Sequence, residues 1–313
     1  MLHLRVLSPP ELTDRVRGLL AAEPGSAHLT VLPGAAVAPP GDVVEAVLTR
    51  ECADGVLAEL VELRLDQLGV ITLETLDTVL SDAADRAEAA VPGDPADAVI
   101  WDDLVARSGE ESRLSISFLA FLTIACLLAA IGAITDSPVT VVGAMVLGPE
   151  FGPLAALAVG LVLRRGDLCR RAGLALAVSF PVAMVITGVV GALFHATGLL
   201  QRTTLDNLAQ VDFIYKVGPF SLIIALLAGA AGMLSLTSAK SGALVGVFIS
   251  VTTVPAAAFV AVAALEGRWD RALASAVQLL VNLAGVVVAA ALVLWFSPSA
   301  RSDRAVRKRG SGG

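Results

Sequence analysis

The stretch 137–161, SPVTVVGAMVLGPEFGPLAALAVGL, decides how this chain is read. It is apolar for long enough to cross a bilayer, which takes about 20 such residues. Yet Pro149, Gly152 and Pro153 each oppose helix continuity, proline because it removes an amide donor and clashes with the preceding turn. The spacing predicts a helix broken near 148–153. Hydrocarbon offers no water to freed backbone groups, so a break in mid-segment implies burial against other helices or a polar cavity. Glu150 stands inside that break. A carboxylate at such depth is costly and points to function, as proton relay, cation ligand or substrate contact. The competing reading is a re-entrant hairpin whose tip carries Glu150 to interfacial water.

Working outward, uncharged stretches of similar length recur at 114–135, 172–194, 217–239, 241–265 and 272–300, which with 137–163 make six hydrophobic segments. They are not independent. Sliding the chain by 103 residues sets Val141 to Met145 against Leu244 to Phe248 and brings the proline cluster of the first copy near Pro255. Each copy, 114–197 and 217–298, then reads as helix, Pro/Gly-interrupted segment, helix. Three crossings per copy send the second copy in from the opposite side, the arrangement of inverted-repeat transporters.

The counterpart segment, SGALVGVFISVTTVPAAAF (241–259), sets Ser250, Thr252 and Thr253 beside Pro255. Hydroxyls there can satisfy carbonyls released by the proline or coordinate a cation. Gln278 and Asn282 are spaced i, i+4 and share one helix face, which should point inward, for helix-to-helix hydrogen bonding or for contact with the transported ion or solute. Gly143, Gly160, Gly188, Gly191, Gly229, Gly232, Gly242 and Gly246 read as close-packing positions, because no strand precedes them as a phosphate loop requires. Trp101, Trp269 and Trp295 lie near segment ends, where interfacial anchors sit.

Over 313 residues the mean hydropathy is +0.80, with 56% hydrophobic and 16% charged residues. A soluble domain carries about 25% charged residues. The formal charge of −7 hides a division: residues before 114 sum to −13 and the remainder to +6. This excludes a disordered or fibrous chain and a nucleic-acid binder driven by bulk positive charge. Cys52, Cys126 and Cys169 are isolated, so a disulfide-rich module is excluded too. No Ser/His/Asp set, HExxH or paired-cysteine zinc spacing appears. Neither an enzyme nor a metal site is expected, and no cofactor.

The first residues lack an apolar run behind a basic region, so no cleaved signal is expected. Counting Lys and Arg in short flanks puts eleven on one side (Arg113, Arg164, Arg165, Arg170, Arg171, Lys240, Arg301, Arg304, Arg307, Lys308 and Arg309). Four fall on the other (Arg202, Lys216, Arg268 and Arg271). Cytoplasmic loops carry the excess, so both termini are expected in the cytoplasm and the chain in the plasma membrane.

Residues 1–80 read as a small α+β domain. LHLRVLS (2–8) alternates like a strand. Pro9-Pro10-Glu11 opens a helix with Leu12, Val16, Leu19 and Leu20 on one face. A hairpin with a long loop follows over 28–49, then a helix at 53–67 with Val56, Leu60, Leu63 and Gln67 on one side, then a strand at 70–76. The order βαββαβ is that of ferredoxin-like domains. The acidic linker 81–113 breaks at 92–95 and then offers Val99, Ile100, Leu104 and Val105 as one face of an amphipathic helix. Residues 299–313 form a basic tail.

The segments RLSISFLAFLTIACLLAAIG (113–132), DSPVTVVGAMVLGPEFGPLAALAVGL (136–161) and GAAGMLSLTSAKSGALVGVFISVTTVPAA (229–257) resemble the DUF389 family of hydrophobic, mainly prokaryotic integral membrane proteins. The resemblance covers roughly 100–296. It implies a polytopic helical membrane protein and assigns no activity. Family members often carry an apolar residue where Glu150 stands and a double proline at Pro255-Ala256.

The leading expectation is a secondary transporter or ion-conducting protein with its site between the two interrupted segments. Glu150 binds or relays the ion, Pro149, Gly152, Pro153 and Pro255 free the lining carbonyls, and Ser250, Thr252 and Thr253 complete the site. The N-terminal domain regulates it. The expected partners are the lipid bilayer, a small ion or solute and a second copy of the chain, with no nucleic acid. The alternative is a non-transporting sensor or scaffold whose N-terminal domain binds a ligand or partner.

Overall fold

The computed structural model describes residues 1–76, 78–93, 98–198, 218–237 and 245–297, with the side chains of 102 and 245–252 left aside. The described chain divides into two compact units, one of Met1–Asp103 with Thr237 and one of Leu104–Leu236 with the described residues from Val245 on.

In the first unit, β1 (Leu2–Ser8), β2 (Ser26–Val37), β3 (Pro40–Leu48) and β4 (Val70–Thr75) form one antiparallel sheet in the order β2-β3-β1-β4. Alternation buries Leu2, Leu4 and Val6 of β1 and Val44, Ala46 and Leu48 of β3. Helix α1 (Pro10–Ala22) adds Val16 and Leu20 to the same core, and α2 (Arg50–Glu62) adds Ala53, Val56 and Leu60.

Two expectations need correction. The long hairpin loop is absent, because 33–37 and 40–42 continue the β2–β3 ladder with register shifts between Leu32 and Ala36. Asp42 holds that extension, its carboxylate accepting from the Gly34 amide at 2.8 Å and from the Thr13 hydroxyl at 2.7 Å. The helix expected over 53–67 stops at Glu62, since Arg64 takes a left-handed conformation (φ 58°) and α3 (Leu65–Leu68) restarts out of phase. Leu65 is therefore buried where Gln67 was expected, and Gln67 is exposed.

The linker also holds more structure than expected. Helix α4 (Asp82–Ala90), capped by the Ser81 hydroxyl, buries Ala84 and Ala87. Trp101 is 7% exposed and donates its backbone amide to Asp54, so it is a core residue and not an interfacial anchor. Trp269 and Trp295 are exposed, as anchors would be.

The second unit is helical: α5 (Trp101–Glu111, from Leu104 on), α6 (Ile116–Ile134), α7 (Pro138–Val146), α8 (Phe151–Leu163), α9 (Gly166–Ala196), α10 (Pro219–Thr237), α11 (Val245–Leu265) and α12 (Trp269–Phe296). By length and composition α6, α9, α10 and α12 could each cross a membrane. Together α7 and α8 pass the same test with a 55° bend, and Thr253–Leu265 of α11 adds a shorter apolar stretch. Arg202, Lys216, Lys240 and the tail 299–313 lie outside the described residues.

Helix directions follow from contacts. The late residues of three helices, Ala130 and Ile134 of α6, Gly191 and Phe194 of α9, and Ala261 and Leu265 of α11, line one small apolar cleft, so all three run the same way. The chain between α6 and α9 runs through α7 and α8, whose 55° bend is that of a broken span or a re-entrant loop. Helices α10 and α12 are also parallel, because Ser221 meets Gln278 and Asn282 while Gly229 meets Val286 further along both.

Some of the anticipated glycines allow these approaches. A Cβ on Gly229 would lie 2.7 Å from Val286 Cα, and one on Gly160 would lie 2.6 Å from Cys169 Sγ. Gly191 faces Leu265. Gly143 and Gly188 face open space, so close packing does not explain them. Gly242 lies outside the described residues.

Candidate functional site

The α7–α8 break is shorter than its three helix-breaking residues suggest. Helix α7 ends at Val146 and the chain turns through Leu147, Gly148, Pro149 and Glu150. Pro153 falls in the first turn of α8, where an amide would have no intrahelical acceptor anyway. It thus starts a helix where sequence spacing placed it within a break.

Glu150 caps the start of α8 with its backbone, Leu154 donating to its carbonyl at 3.2 Å. Its side chain is 0% exposed and accepts a hydrogen bond from the hydroxyl of Thr253 in α11, also 0% exposed, with Oγ1 to Oε1 at 2.5 Å. Of the anticipated site residues, Glu150 and Thr253 are thus brought into contact. Pro149, Gly152 and Pro153 flank Glu150 along the chain, and Pro255 follows Thr253 by two residues. The side chains of Ser250 and Thr252 lie outside the described residues.

The second interrupted segment proves unbroken: α11 runs as helix through Pro255. One proline costs one hydrogen bond and a local clash, which neighbouring helices can offset in a packed bundle. The other segment adds Gly148 to Pro149, and there the helix stops.

Gln278 and Asn282 form a separate cluster with Ser221, which sequence reading missed. The Ser221 hydroxyl donates to Asn282 Oδ1 at 3.0 Å and accepts from Gln278 Nε2 at 3.2 Å. Gln278 Oε1 and the buried hydroxyl of Ser275, one turn earlier, have no hydrogen-bond partner among the described residues.

Two further residues adjoin the break. Cys126 of α6 is buried within electrostatic range of Glu150. Glu111, at the end of α5, lies against Gly152, where a Cβ would stand 2.5 Å from Glu111 Cβ and 3.1 Å from its carbonyl oxygen. Only glycine admits that approach. Burial pushes the Glu111 carboxyl above the ordinary carboxylate range against the opposing pull of Arg107. Among the described residues no set of three or more His, Cys, Asp or Glu could hold a metal ion.

Residues 145–288 match the family model described as "Domain of unknown function (DUF389)", and every residue of the Glu150–Thr253 and Ser221–Gln278–Asn282 contacts lies in that range. An uncharacterized protein of Methanocaldococcus jannaschii is 23% identical over 195 residues, 62% of this chain and 58% of its own length. The chain therefore spans less than two thirds of that relative. No solved structure matches the chain.

Proposed function

We propose, for a chain that belongs to the DUF389 family through residues 145–288, a secondary transporter or ion-conducting protein whose site lies where α7–α8 meets α11. The observation that carries this reading is the Glu150–Thr253 hydrogen bond. A wholly buried carboxylate is expensive, and here it joins the broken α7–α8 segment to the continuous α11. The partners are 103 residues apart, the same offset that aligns the two halves of the sequence. In two units related by a two-fold axis, equivalent residues meet only near that axis, so the contact supports an inverted repeat of three crossings per copy.

The parallel pairs α6 with α9 and α10 with α12 support the same arrangement. Since α11 runs with α6, α10 runs against it. Six crossings in the plasma membrane with both termini cytoplasmic follow from this reading. The sheet order β2-β3-β1-β4 supports a ferredoxin-like N-terminal domain with a regulatory role. The bilayer and a small ion or solute are the partners the reading requires, and no enzymatic step is assigned.

Flux of candidate ions and small solutes into proteoliposomes tests this, comparing the intact protein with Glu150→Gln. Flux in the intact protein that falls at least tenfold in the variant is the expected result. Equal flux in both would remove Glu150 from the mechanism. No flux across a broad panel would leave the sensor or scaffold reading.

A further inference from the structure

A serine or threonine inside an apolar helix commonly donates its hydroxyl proton to the carbonyl one turn back. Ser179 does so to Ala175 and Thr123 to Leu119. Ser275 of α12 does not. Its side chain is 0% exposed, and its Oγ has no hydrogen-bond partner among the described residues. The same holds for Oε1 of Gln278, a residue 5% exposed. Leaving a buried polar atom unpaired is costly, and nearly all such atoms are met by protein or by a bound molecule.

Helix geometry sets the two atoms within the span of one small molecule. Positions 275 and 278 are i, i+3, which places their Cβ atoms about 5–6 Å apart on a common face. The Gln278 amide is held by its Nε2, which donates to Ser221 Oγ at 3.2 Å, while Ser221 donates to Asn282 Oδ1 at 3.0 Å. Oε1 shares a carbon with that Nε2, so it lies beside Ser221 at the α10–α12 seam. Ser221 stands in the first turn of α10, and Ser275 lies six residues, about 9 Å, from the start of α12. The two helices run the same way, so the approach from the side where they begin is short. Thr187 is also buried without a partner, but the residues beside it in its small cleft are apolar and offer no second group to share a ligand.

We propose that Ser275, Gln278 and Ser221 form a binding site for one small uncharged molecule that both donates and accepts hydrogen bonds, either water or a solute of a few heavy atoms such as a short amide or alcohol. The free atoms select the class. Gln278 Oε1 needs a donor, and the Ser275 hydroxyl can give or take. No residue of α10 is ionisable, and none of α12 after Arg271. A cation would find oxygen but no countercharge on these helices beyond Asp270 at the start of α12, and an anion would face the lone pairs of Oε1. The site is apart from the Glu150–Thr253 contact, and it goes beyond the transport reading without depending on it.

The test follows thermal unfolding of the full chain in detergent. Deleting the Ser275 hydroxyl from a dry site removes an unpaired group and leaves Tm equal or higher, whereas deleting it from an occupied site removes a ligand contact. Ser275→Ala is therefore expected to lower Tm by about 2–4 °C. Both proteins are then titrated with formamide, acetamide and ethylene glycol, and separately with sodium and potassium chloride. A saturable rise in Tm with one neutral solute, its midpoint weakened about tenfold in Ser275→Ala, identifies a solute as occupant. The fall in Ser275→Ala without any solute response identifies water. Should Ser275→Ala fail to fold, Gln278→Met repeats the test at the second unpaired atom, compared with Ser221→Ala so that loss of the Gln278–Ser221 bond is common to both.

An equal or higher Tm in Ser275→Ala, with no solute response that the variant weakens, overturns the proposal. A saturable response to the salts that Ser275→Ala abolishes overturns it too, since the occupant would then be an ion. Either failure leaves the Glu150 reading standing, and equal flux in Glu150→Gln would not touch this site.

Discussion

Thr253 reaches Glu150 from two residues before a proline, and its hydroxyl is the donor the carboxylate meets in that direction. Removing the donor while keeping the shape leaves a buried acceptor with less compensation, at a cost of about 1–3 kcal/mol. Thr253→Val is expected to lower the Tm of the purified protein, and Thr253→Ser to retain most of it. The glycines allow a sharper comparison. A Cβ on Gly229 meets backbone atoms of Val286, whereas one on Gly285 meets the ends of Ala225 and Leu222 side chains at 3.2 Å. Gly229→Ala should cost about 1–3 kcal/mol by forcing α10 off α12, and Gly285→Ala clearly less, as thermal unfolding in detergent would register. Glu150 was legible from sequence because a carboxylate in an apolar stretch is costly unless it reaches water or a partner. Ser221 was not, because no spacing along the chain announces that a serine of α10 meets Gln278 and Asn282 of α12.

Among the elements, periodicity located β1, β4, α1 and most of the apolar helices, since alternation and helical spacing are set by which face is buried. Local backbone events escaped it. Nothing in the residue types announces that Arg64 turns left-handed and restarts the helix, or that PGAAVAPPGD continues a ladder instead of looping. That extension depends on Asp42, whose carboxyl is held below the ordinary range first by the Gly34 amide and then by the Thr13 hydroxyl. A carboxyl lowered on folding contributes stability that is present above its unfolded value, near pH 4, and lost as pH falls through its folded value. Hydrogen exchange over Ser26–Leu48 should therefore lose protection in acid, and Asp42→Asn should show weak protection already at neutral pH with little further loss. Unequal breaks likewise escaped the sequence: Pro149 follows a glycine and ends α7, while Pro255 sits inside a continuous α11.

For the whole molecule, the division into an N-terminal sheet and an apolar helical part was legible because composition is summed over many residues, so no single contact can upset it. The direction of each helix was not, and it came from contacts. If the halves are inverted, the α8–α9 turn and the α11–α12 turn emerge on opposite faces of the bilayer. In a background without Cys52, Cys126 and Cys169, Gly166→Cys should react with an impermeant maleimide only from the cytoplasmic side and Arg268→Cys only from outside. Reaction of both from one side would overturn the inverted repeat.

The helices also differ in reach. Helix α11, with 21 residues, is about 32 Å long, close to the hydrocarbon thickness of a typical bilayer. Helices α9 and α12, with 31 and 28 residues, extend to about 46 and 42 Å. Packed against a helix of the right length, the two longer ones must lean or stand proud of the lipid. The protein then has a preferred acyl-chain length, and thinning the membrane would press on α9 and α12 first, the two helices packed on either side of α11.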